Sequence, residues 1–142
     1  MPIAQGLTTT FKQNCLSGLE NFAVGTPYTY KIALYNGNAN LSNYTTAYTT
    51  DNEITGTGYT AGGNVLTVLP PASNTTSNTA YVSFANAVWS PASFTCRGAL
   101  IYNSTTGASV CVLNFGSDKT AANTFTVTFP ADTASDAIIR FS

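Results

Sequence analysis

At 142 residues the chain is long enough for one domain with a buried core, and at 44% hydrophobic and 12% aromatic residues it is no disordered segment. Only 8% of residues are charged, against about 25% in an ordinary globular domain, so hydroxyls, amides and backbone must cover the surface, which suits a protein packed against others. The net charge is −1 and the basic residues Lys12, Lys31, Arg97, Lys119 and Arg140 are scattered; with no basic stripe, nucleic acid is excluded as a partner.

The first ten residues have neither a positive n-region nor an apolar h-region, so no secretory signal is expected. The apolar runs fall short of a bilayer span, so no membrane partner is expected either. Sequons at Asn40, Asn43, Asn74 and Asn103 then reflect an Asn/Thr-rich composition.

Gly6–Phe22 is the one stretch with helical spacing. Phe11, Cys15 and Leu19 recur at i, i+4 and i+8 beside Leu16, and Thr8–Thr10 offers capping hydroxyls. Gly18 weakens this helix, so residues 1–24 are expected to dock on the sheet as a helix or to reach a neighbouring subunit as an arm.

Tyr28–Tyr35 alternates, with Tyr30, Ile32 and Leu34 on one face and Thr29, Lys31, Ala33 and Tyr35 on the other. Asn36–Asn40 is a turn. Leu41–Asn64 is the most polar part, bent at Gly56, Gly58, Gly62 and Gly63. These glycines lack the Lys-Ser/Thr and following helix of a phosphate loop. Val65–Leu69 is a short strand stopped by Pro70 and Pro71, and Ala72–Asn78 a polar loop. Thr79–Ala85 places Ala80, Val82 and Phe84 on one face and Tyr81 and Ser83 on the other. Trp89 reads as a core or core-edge residue, with ligand stacking as the alternative.

Phe94–Phe115 organises the chain: two strands closed by a turn at Ser104–Gly107, apolar on both faces and therefore covered on two sides. Arg97 within it is expected to pair with a carboxylate or reach carbonyls. On this register Leu100 lies opposite Cys111 and Cys96 near Phe115, so Cys96 and Cys111 are too far apart to bridge. Cys15, Cys96 and Cys111 are all read as thiols. Gly116–Ala122 reads as a loop, Thr124–Phe129 as a strand with Phe125, Val127 and Phe129 inward, and Ala137–Phe141 as a final paired strand. The whole is one domain, 1–142, an all-β sandwich, jelly-roll-like, with one short N-terminal helix.

With no histidine, the usual general base and most zinc sites are gone, and no CxxC spacing suggests a thiolate metal site. Asp51 and Glu53 are close enough to suggest a cation or a glycosidase pair, but no other acid clusters with them and no nucleophile–base pair exists. No enzyme is predicted; no catalytic, cofactor-binding or metal residue is assigned, and no cofactor is expected.

From Tyr28 onward the order of motifs, YKIALYNGNANL, TTAYTTDNEITGTGYTAGGNVLT, AYVSFANAVWSPASFTCRGALIYNS, VLNFGSDKT and FTVTFPADTASDAIIRF, resembles a family of small virion proteins of tailed bacteriophages and prophages. Some of these resemble capsid decoration, or cement, proteins, notably in cyanophages. The segment before Gly25 matches more loosely. The resemblance implies a protein made in the host cytoplasm and carried on the outer capsid surface of the virion. Its partner would be the major capsid protein, and a homo-oligomer is expected, a trimer by analogy with other decoration proteins. It carries over no catalytic residues. The rivals are a head–tail connector or tail component, and a host-receptor or glycan-binding fibre module using Tyr44, Tyr48, Tyr59, Tyr81 and Trp89.

Overall fold

The computed structural model describes residues 3–142. The chain folds as an all-β sandwich-like domain with one short helix. Its elements in order are β1 (Gly6–Leu7), α1 (Thr9–Leu16), β2 (Tyr30–Tyr35), β3 (Asn64–Val65), β4 (Ala72–Asn74), β5 (Thr79–Val82), β6 (Ala87–Trp89), β7 (Phe94–Asn103), β8 (Ser109–Ala121), β9 (Phe125–Val127) and β10 (Ile139–Phe141). A five-stranded sheet runs β1-β8-β7-β2-β3; β10-β5-β4 and β6-β9 form two smaller sheets.

The β7–β8 hairpin is the spine. Period-two alternation in Ala99–Tyr102 and Val110–Leu113 drives apolar side chains to both faces, and both are covered. On one face Tyr30, Ile32, Leu34, Ala99, Ile101 and Leu113 share a core with Phe11, Val82, Trp89, Val127 and Ile139 of the helix and smaller sheets. On the other, Ala33, Tyr35, Leu100, Tyr102 and Val112 pack with Ile3, Ala39 and Leu41. The polar stretch between β2 and β3 therefore roofs the second face.

The hairpin departs from the expected register in two places. Tyr102 pairs with Ser109 as the turn predicts, but a bulge at Val110 puts Ile101, not Leu100, opposite Cys111. Further out, Cys96 pairs with Lys119 and Gly98 with Asn114, so Arg97 alone faces the excursion Phe115–Asp118. Cys96 thus sits opposite Lys119 rather than near Phe115. The supposed loop Gly116–Ala122 is this excursion followed by the outer end of β8, because Thr120 and Ala121 return to pair with Thr95 and Phe94. Arg97 does what its position suggested: it donates to the Gly116 carbonyl at 3.2 Å and lies 3.7 Å from Asp118.

The N-terminal helix is shorter than its spacing implied. Thr8 caps it, accepting the Phe11 N–H at 3.1 Å, and Gly18 at φ 72° ends it. Before the cap, Gly6–Leu7 pairs with β8 instead of turning helically. Phe11 is fully buried, worth about 1.5–3 kcal/mol against exposure, but Leu16 and Leu19 are exposed. One buried anchor replaces the expected apolar stripe.

Val65–Leu69 is no simple strand. Lys31 pairs with Val65 and Leu66 donates to Tyr30, after which Val68 bridges Phe84, so the segment leaves one sheet and joins the other, a sandwich corner. Ala72–Asn78 is not a loop throughout: Ala72–Asn74 forms a hairpin with β5. Of the three residues expected on one face, Val82 and Phe84 are buried in the core while Ala80 is exposed on that hairpin. Phe125, Val127 and Phe129 face inward with the intervening threonines outward, and β10 pairs with β5.

Candidate interaction surface

The two acids that could have made a catalytic pair are not brought together. Asp51 is exposed in a turn. Glu53 is turned inward and fully engaged: it accepts from the Tyr48 and Tyr59 hydroxyls and from the Gly62 N–H at 2.7 Å. A carboxylate with three donors pinned to it ties a loop down. Among the described residues, no group of three His, Cys, Asp or Glu side chains is placed to hold a metal.

The tyrosines that could have stacked on a sugar are dispersed. Tyr48 stacks on Tyr102 at 4.7 Å, Tyr59 sits among Trp89 and Phe94, and Trp89 is in the core. Only Tyr44 of the set is well exposed. Glycine-permitted close approach is intramolecular: a Cβ at Gly58 would overlap the Pro91 carbonyl, and one at Gly63 the Ile32 carbonyl.

The thiols are free and quiet. Burial pushes Cys96 and Cys111 up to about 12, and burial with the nearby Glu20 carboxylate pushes Cys15 up to about 11. Thiols so protonated are poor nucleophiles and poor metal ligands.

The fold leaves several apolar side chains exposed. Leu16 is 91% exposed and Val24 84%, with Leu19 and Phe141 about half exposed. The chain segment carrying the first three also contributes Cys15 and Phe22 to the wall of a groove of about 160 Å³, completed by Pro71, Ala72, Val82, Ile139 and Phe141. Phe141 stacks on Phe11 at 6.3 Å, so the exposed ring is held, not loose. Glu20, in the wall of the groove, accepts from the Tyr30 hydroxyl at 2.9 Å and from Asn103 at 3.1 Å. Sequence reasoning missed this surface because it assigned Leu19 and Leu16 to the inner face of a longer helix. The signal was Gly18, which stops the helix before Leu19.

No family model, curated protein or solved structure matches the chain.

Proposed function

We propose that the chain is a non-enzymatic virion structural protein that decorates the outer surface of a phage capsid and clamps its major capsid protein. The resemblance of Tyr28–Phe141 to small virion proteins suggests the role. The observation that supports it is the exposure of the apolar side chains Leu16, Leu19 and Val24 along one chain segment, on a chain with few charges. Exposed apolar groups close together along a chain suit a contact surface. On a lattice, many such modest contacts add through multivalency. A homotrimer at a local symmetry axis is the assembled unit of this reading.

Copy number tests it. Quantitative mass spectrometry of purified particles should find hundreds of copies per virion, distributed over the shell. A single ring's worth would point to a connector or tail position instead, and absence from finished particles would end the reading.

A further inference from the structure

Asn36–Gly37 is the one Asn-Gly pair in the chain, and it opens the turn that leaves β2. Gly37 and Asn38 are exposed and Asn36 is half-buried. The side-chain carbonyl of Asn36 accepts the Asn38 N–H at 2.8 Å, and its backbone carbonyl accepts the Ala39 N–H at 3.2 Å. The first of these bonds closes an Asx turn, one hydrogen-bonded ring that contains both the Asn36 Cγ and the Gly37 nitrogen. Among the described residues, neither the Gly37 N–H nor the Asn36 Nδ2 has a hydrogen-bond partner.

That arrangement joins an electrophile and a nucleophile in one small ring. The hydrogen bond to Oδ1 draws electrons from Cγ, and Gly37 has no side chain to crowd an attack by its nitrogen. We propose that Asn36–Gly37 is a self-modification site of the folded protein, where Asn36 converts to aspartate and isoaspartate, and that the isoaspartate form loosens the polar roof over the hairpin. The Gly37 nitrogen bonds to Cγ, and its proton passes through water to Nδ2. The Cγ–Nδ2 bond breaks and ammonia leaves, closing a succinimide. Water then opens that ring. Cleavage between Cγ and the Gly37 nitrogen gives aspartate on the original main chain. Cleavage between the Asn36 backbone carbonyl carbon and the same nitrogen gives isoaspartate, with the main chain rerouted through Cβ and Cγ. Water is the only co-reactant, and nothing is oxidised or reduced.

The fold makes the two products unequal. The roof is stitched to this turn: the Asn36 N–H donates to the Asn52 carbonyl at 3.0 Å, and the Asn52 side-chain amide donates to the Asn38 carbonyl at 3.3 Å. Just beyond, Ala39 and Leu41 are buried in the core on that face. Aspartate leaves the main chain and these bonds in place. Isoaspartate adds a methylene between the two stitches and turns the carbonyl that receives Ala39 into a carboxylate. A longer main chain between two fixed stitches cannot keep both. The inference holds whether or not the chain decorates a capsid.

The test ages the full folded chain at neutral pH in water labelled with heavy oxygen and reads each asparagine by fragment mass spectrometry. The expected result is label at Asn36 several-fold ahead of every other asparagine, divided between aspartate and isoaspartate. Gly37→Ala should slow labelling several-fold. Gly37 lies outside the left-handed region, and an added Cβ first meets the Arg97 Cδ at 3.3 Å, on a flexible side chain, so this variant should fold. A thermal melt checks that, and the ranking of asparagines in the parent stands without it. Hydrogen–deuterium exchange across residues 36–54 should be faster in the separated isoaspartate form than in the parent, and unchanged in Asn36→Asp. Labelling at Asn36 only in urea, no faster than elsewhere, or undiminished in folded Gly37→Ala overturns the site. Unchanged exchange in the isoaspartate form, or equal speeding in Asn36→Asp, overturns the loosening of the roof.

Discussion

Tyr59 stands between Glu53 and β2, accepting the Leu34 N–H at 3.0 Å and donating its own hydroxyl proton to the Glu53 carboxylate. The same carboxylate accepts from Tyr48 on the far side, and Tyr48 stacks on Tyr102 of β7. One acid thus fastens the polar roof to two central strands. Removing the hydroxyl in Tyr59→Phe leaves a strand N–H and a partly buried carboxylate oxygen short of a partner. The expected loss is about 2–3 kcal/mol of unfolding free energy. Glu53→Gln, which keeps the shape and loses the charge, should cost about 1–2 kcal/mol. Urea titrations of the two variants check both values. Equal stability to the parent would mean that the roof is held by packing alone.

Glycines in the left-handed region separate strain from collision. Gly107 has φ 84°, and a Cβ added there would meet nothing within 4 Å, so Gly107→Ala should cost only the conformational term, about 1–2 kcal/mol. Gly63 has φ 78°, and a Cβ there overlaps the Ile32 carbonyl in the middle of β2. Gly63→Ala must move backbone as well, for a loss of about 3–4 kcal/mol. The ratio of the two losses in one denaturation series is the measurement, and equal losses would show that the β2–roof contact yields freely.

Alternation made the strands legible. Tyr30, Ile32 and Leu34, then Phe125, Val127 and Phe129, announce their faces because each lies on a regular stretch with one side toward the core. The covered hairpin was legible from apolar runs without alternation. What pattern could not supply was register. The bulge at Val110 and the excursion opposite Arg97 insert residues without a compositional mark, and each insertion shifts the partners of everything beyond it. Ala72–Asn74 escaped because a strand of small polar residues, exposed along its length, looks like a loop. The exposure of Leu16 was hidden for a related reason: it fits helical spacing, and only the position of the helix end decides that it faces solvent.

Buried acids with neutral forms favoured by the fold set an alkaline limit. Cys96 and Cys111 rise from 9.0 in the open chain to about 12 when folded, both by burial. Tyr59 and Tyr35 are pushed above the usual phenol value for the same first reason, with Glu53 adding to it. A raised folded value means that the unfolded chain gives up its proton first. The contribution is complete below about pH 9 and disappears as pH climbs through the folded values. Urea midpoints should therefore be flat up to about pH 9 with respect to these groups and fall steadily above it. A chromogenic disulfide should label the buried thiols slowly in the native protein and rapidly in urea. Rapid native labelling of Cys111 would contradict its burial.

Leu16 and Val24 distinguish a contact surface from a structural one. Each is almost wholly exposed and lies outside both packed cores. Leu16→Asp and Val24→Asp should change folding stability by no more than about 0.5 kcal/mol. If these residues meet the shell, the same changes bury a charge in an apolar contact, and binding should fall by at least about tenfold for each. Phe141→Ser differs, because its ring also stacks on buried Phe11, so stability and binding should fall together. Co-sedimentation with shells beside thermal melts separates the two effects. Undiminished binding by Leu16→Asp and Val24→Asp would move the contact away from this segment, whereas lost stability would place these side chains in the core of an assembly that forms before the shell is met.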